Sequence, residues 1–122
     1  MKYIISGTGR SGTKLIHSVL QKLGVGIGQH EISLGSLGGV GGYYVMSRMV
    51  NNEKNFQIIT QIRDPLQTVN SILKTSTVDF PELGLYIKDY SNIYLYTLNV
   101  WYKIHLKLME TSILNYTLNN LN

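Results

Sequence analysis

The chain has 122 residues, a formal net charge of +4, and 43% apolar against 15% charged residues. Those proportions exclude a disordered or fibrous chain and suit one globular domain, residues 1–122, on the small side for a doubly wound α/β fold. The absence of cysteine excludes disulfides and thiolate metal sites. No apolar run approaches the about eighteen residues of a membrane span. The N-terminal run, Tyr3-Ile4-Ile5, is too short for a signal peptide, so a cytoplasmic location is the default expectation.

In chain order, residues 2–6 read as a buried strand, with a β-branched pair ended by a glycine. The strand runs into Gly7-Thr8-Gly9-Arg10-Ser11-Gly12-Thr13-Lys14. Glycines at this density let the backbone approach a ligand closely, and the unpaired N–H groups opening the next helix favour an anion. That helix is expected from Gly12 or Thr13 to about residue 23. Leu15, Ile16, Val19, Leu20 and Leu23 lie on one face, and Gly24 closes it.

Residues 25–28 read as a short second strand, and the glycine-rich stretch 35–42 as a mobile loop near the ligand. A short helix is expected over 43–50, a strand over 56–62, a helix from Pro65 to about residue 74, and a loop over 75–82. From 83 to about 116 helical spacing persists, as one long helix or two. Tyr86, Tyr90, Tyr94, Leu98, Tyr102 and Leu106 form a stripe, widened by Ile87, Trp101, Ile104, Leu108 and Met109, that is read as core packing, and the tail from 117 is expected to fray. Strands alternating with helices predict a P-loop-type parallel sheet of few strands flanked by helices, with a long C-terminal helical region. Ligands in such folds bind at the carboxyl ends of the strands.

The glycine loop departs from the nucleotide-triphosphatase pattern, in which Lys precedes the hydroxyl residue, because here the order is Gly12-Thr13-Lys14. Gly-x-x-Arg-Ser-Gly-Thr after a strand resembles instead the 5′-phosphosulfate loop of the sulfotransferase family, whose donor is 3′-phosphoadenosine 5′-phosphosulfate (PAPS). The second strand motif ends in Arg63-Asp64-Pro65, and Ser71 follows Arg63 by eight positions. In that family an Arg-Asp-Pro turn with a Ser at this distance binds the donor's 3′-phosphate. A guanidinium at the strand end and a hydroxyl about two turns into a helix suit one phosphate. The third point is Gln29-His30-Glu31, because Glu31 follows Arg10 by twenty-one residues, where related branches carry a catalytic base. The resemblance covers roughly residues 2–76.

It implies sulfuryl transfer to a hydroxyl or amine, with PAPS as co-substrate and no metal. Gly9, Arg10, Ser11, Gly12 and Thr13 would hold the phosphosulfate, and Arg63 and Ser71 the 3′-phosphate. Glu31 would be the base, and Arg10 or Lys14 would stabilise the leaving oxygen. The chain stops before a later segment of the family fold, and two or three strands leave an exposed edge. Self-association over that edge or over the Tyr-rich helix face, or a truncation that weakens function, is therefore expected.

Two alternatives stand beside this reading: a catalytically degenerate nucleotide-binding or structural module, and a P-loop kinase or triphosphatase using Lys14 and Asp64. A nucleic-acid surface is disfavoured. Arg10, Arg48 and Arg63 are the only arginines, and no basic cluster is interleaved with aromatics. His30 reads as a positioning or surface residue, and His17 and His105 as structural or solvated.

Overall fold

The chain folds as an α/β protein around a four-stranded parallel sheet of order β2-β1-β3-β4. The computed structural model describes residues 1–8, 12–50, 53–74 and 78–118. The central strands are β1 (Lys2–Ser6) and β3 (Phe56–Arg63), with Ile4 opposite Ile58 and Ser6 opposite Thr60. Alternation along these strands sends Ile4 and Ile58 to one face and Tyr3, Ile5 and Ile59 to the other.

The first face carries the core. Ile58 packs with Leu85, Tyr96, Val100, Ile104 and Leu108, and Phe56, Phe80 and Tyr90 close around them. On the second face α1 (Thr13–Lys22) lies over the sheet, and its Leu20 joins Tyr3, Ile5 and Ile59 along an apolar trough of about 350 Å³. Helix α1 ends where Gly24 takes φ 75°, with Lys22 in its last turn opposing the dipole.

Residues 35–42, expected to be a mobile loop, instead contain β2 (Gly38–Val40), which is buried along its whole length. The reason is steric. Gly38 sits at φ 154°, and a Cβ there would run into the Tyr3 carbonyl, so only glycine lets β2 close onto β1. Residues 25–28 do not form the expected second strand. They contribute one isolated bridge, Ile27 to Gly38, and belong to a segment that wraps the outer edge of β2. Within it Gly28 N and Gly35 N donate to Gly38 O at 3.1 and 2.8 Å, and Glu31 N to Val40 O at 3.0 Å.

Helix α2 (Tyr43–Val50) and helix α3 (Pro65–Leu73) fall where the spacing predicts. The C-terminal region differs from expectation. Two 3₁₀ turns, Pro81–Leu83 and Ile87–Asp89, precede a single helix, α4 (Ile93–Thr111). Asn92 caps α4, its Oδ1 accepting from Tyr94 N at 2.8 Å and Leu95 N at 3.4 Å. Residues 112–118, expected as helix and frayed tail, form β4 (Ser112–Leu118), parallel to β3 with Gln61 opposite Tyr116. The sheet thus has four strands rather than two or three.

The core face of α4 follows the expected stripe only in part. Ile104 and Leu108 are buried as expected, with Tyr96 and Val100 beside them, whereas Tyr94, Leu98, Tyr102, Leu106 and Met109 face outward. Tyr96 is fully buried at no polar cost, because its hydroxyl donates to Val78 O at 2.7 Å.

Candidate anion site at the carboxyl ends of two central strands

Three chain segments meet where β1 and β3 end. After β1, Gly7 and Thr8 are buried. Gly9, Arg10 and Ser11 lie outside the described residues. The chain is described again at Gly12, which takes φ 89° as it enters α1, and no side chain among the described residues caps that helix start. Thr13 is buried at the first helical position, and Lys14 is exposed beside it. Uncapped N–H groups at a helix start attract negative charge.

At the end of β3, Asp64 caps α3, its Oδ1 accepting from Leu66 N at 2.8 Å and Gln67 N at 3.2 Å. Pro65 then occupies the first turn, where no N–H is needed. This turn fixes the base of Arg63, whose Nε donates to Gln67 Oε1 at 3.3 Å. With the Asp64 carboxylate engaged in the cap, the turn is built to orient its neighbours.

The third segment brings His30 and Glu31. Glu31 has φ 64°, the one positive φ among the described non-glycine residues, and two backbone bonds hold it there. Its N–H is tied to Val40 O, and its carbonyl accepts from Arg48 Nη2 at 3.0 Å. His30 Nε2 lies 3.1 Å from Thr13 Oγ1, and its ring is 5.4 Å from that of His17. His17 Nε2 donates to Gly28 O at 2.9 Å. Burial pushes His30 below its ordinary 6.5; Glu31 opposes the shift, and His17 and Lys14 add to it. His30 is therefore neutral at neutral pH, and its 3.9 Å approach to Glu31 is not an ion pair there.

One cavity of about 540 Å³ joins the three segments, lined by Gly12, Thr13, Lys14, Leu15, His30, Glu31, Tyr44, Arg63 and Ser71. Its size falls within the roughly 300–1,000 Å³ of small-molecule pockets. Nearby, the hydroxyls of Ser6 at the end of β1, of Thr8 after it and of Thr60, opposite Ser6 within β3, are buried with no hydrogen-bond partner among the described residues. Such orphan hydroxyls each cost about 1–3 kcal/mol unless something satisfies them.

Of the residues picked out by the sequence, Gly12, Thr13, Lys14, Glu31, Arg63 and Ser71 line one cavity, while Gly9, Arg10 and Ser11 fall outside the described residues. Sequence reasoning missed the bond between His30 and Thr13, the Arg48 hold on Glu31, and Tyr44. Arg48 carried a signal, since arginine is so rare in this chain. Among the described residues no group of three or more His, Cys, Asp or Glu could hold a metal, and no helix is long and apolar enough to cross a membrane. No protein-family model, curated protein or solved structure matches the chain.

Proposed function

We propose that the chain is a sulfotransferase-like protein that moves a sulfuryl group from PAPS to a hydroxyl or amine acceptor. The supporting observation is that Gly12 to Lys14, Glu31, and Arg63 with Ser71 line a single cavity although they are far apart in sequence. In this reading the N–H groups opening α1, with Thr13 and the loop residues Gly9, Arg10 and Ser11, hold the 5′-phosphosulfate. Arg63 and Ser71 hold the 3′-phosphate.

The acceptor oxygen or nitrogen attacks sulfur and gives its proton to the Glu31 carboxylate. The bond from sulfur to the bridging phosphate oxygen breaks, leaving adenosine 3′,5′-bisphosphate. Lys14 and Arg10 stabilise the charge that builds on that oxygen.

Calorimetry with adenosine 3′,5′-bisphosphate in the absence of magnesium tests the donor site, with ATP plus magnesium and Arg63→Ala as comparisons. The expected result is binding to the bisphosphate that Arg63→Ala weakens about 10- to 100-fold, the loss typical of a charge-assisted bond. Binding only to magnesium ATP would move the site to phosphoryl transfer. Bisphosphate binding with no turnover over a panel of acceptors would leave a nucleotide-binding module.

A further inference from the structure

Helix α4 is apolar on two sides. Its core side is Tyr96, Val100, Ile104 and Leu108. A second set, Leu95, Leu98, Tyr102, Leu106 and Met109, is between 40 and 53% exposed. At 3.6 residues per turn these five side chains lie within an arc of about 80° and run about 21 Å along the helix. Lys103, Lys107 and Glu110 fall on the remaining arc, so no charge interrupts the stripe. A helix that is apolar on both sides is normally buried on both.

The order of the stripe is a palindrome. Its steps are three, four, four and three residues, symmetric about Tyr102. We infer that this face of α4 is a homodimer interface, in which α4 packs antiparallel against α4 of a second copy about a two-fold axis at Tyr102. Leu95 then meets the partner's Met109, Leu98 meets the partner's Leu106, and Tyr102 meets the partner's Tyr102. Antiparallel packing opposes the two helix dipoles favourably. A two-fold contact of this kind closes at two copies.

The area is adequate. Taking roughly 200 Å² for a fully exposed side chain of this size, the five present on the order of 450 Å² per copy. That falls within the roughly 300–600 Å² of the largest apolar patch on a typical monomer, a patch that is often functional. Both copies together give on the order of 900 Å². Tyr94, also exposed, lies beside the N-terminal end of the stripe and carries the buried total to about 1,000 Å², the lower bound for a specific interface.

The chain lacks cysteine, which allows a direct test on the full chain. The mass in solution is measured by light scattering in the micromolar range for the wild type and for Leu98→Glu combined with Leu106→Glu. In parallel, Tyr102→Cys and Lys107→Cys are oxidised and compared on a non-reducing gel. A dimeric wild type, a monomeric double variant with unchanged circular dichroism, and a covalent dimer from Tyr102→Cys but not Lys107→Cys are expected. A monomeric wild type, or equal crosslinking at the two positions, overturns the inference, as would a wild type that is monomeric but binds lipid vesicles. If the double variant does not fold, the cysteine pair still decides.

Discussion

His30 Nε2 lies 3.1 Å from Thr13 Oγ1, a contact that ties the segment carrying Glu31 to the first turn of α1. Thr13 is buried and His30 half-buried, so the contact is sheltered from competing water. It fixes where the Thr13 hydroxyl points, and that hydroxyl lines the candidate anion cavity. His30→Ala should therefore weaken adenosine 3′,5′-bisphosphate binding by about 3- to 10-fold, the worth of one neutral hydrogen bond. Calorimetry decides this; an unchanged affinity would mean that the Thr13 hydroxyl does not face the nucleotide.

Glu31→Gln keeps the size of the side chain and removes its basicity. The position of residue 31 is set by its backbone bonds to Val40 and Arg48, so the fold should tolerate the change. Bisphosphate affinity should stay within about two-fold while acceptor turnover falls about 10²- to 10⁴-fold, the usual worth of a general base. Turnover that survives the substitution would remove Glu31 from the role of base.

Acid should destabilise the protein through two histidines. His105 is buried on α4 with its Nδ1–H donating to Trp101 O at 2.9 Å and its Nε2 unpartnered among the described residues. Burial pushes its pKa below 6.5, against the pull of the Trp101 and Gln61 backbone, and burial shifts His30 the same way. The unfolded chain thus binds more protons than the folded one just below pH 6.5. Stability is full above that value and falls as pH drops through it toward the folded pKa values. Thermal melts should shift down between pH 7.5 and pH 5.5, and His105→Phe should flatten the shift. A melt independent of pH in both proteins would show that neither ring is buried neutral.

Gly38→Ala should be among the most damaging single substitutions. The new Cβ meets the Tyr3 backbone carbonyl, which belongs to β1 and has no freedom to move aside. Gly24→Ala, at φ 75° with open space around it, should cost only about 1–2 kcal/mol from its left-handed backbone. Denaturant melts of the two variants should separate them clearly. Equal losses would mean that β2 is not held against β1 as described.

Much of the site-bearing half was legible because local chemistry and tertiary structure agree there. The β-branched run ending at Ser6, the Arg63-Asp64-Pro65 turn and the helix starts after each carry their own signals. The structure follows them to within a residue or so. Strand β2 was not legible, since Gly38-Gly39-Val40 has almost no intrinsic strand preference and becomes a strand only because β1 accepts it. Strand β4 was hidden for the opposite reason. Ile113, Leu114 and Tyr116 continue the helical spacing of α4, and only pairing with β3 draws them out of it. The outward stripe of α4 is legible as a pattern, but a helix apolar on two faces does not say which one the core takes.

The segment that wraps β2 satisfies strand carbonyls that would otherwise lie open along one margin of the sheet, Gly38 O accepting twice, and the same segment delivers Glu31 to the cavity. Protection against strand-to-strand aggregation and placement of a carboxylate are thus discharged by one stretch of chain. A variant that loosens it would lose solubility and the placement of Glu31 together, so solubility during expression becomes a first readout of whether this part of the cavity is intact. It also leaves this segment far less free to vary than an ordinary surface loop.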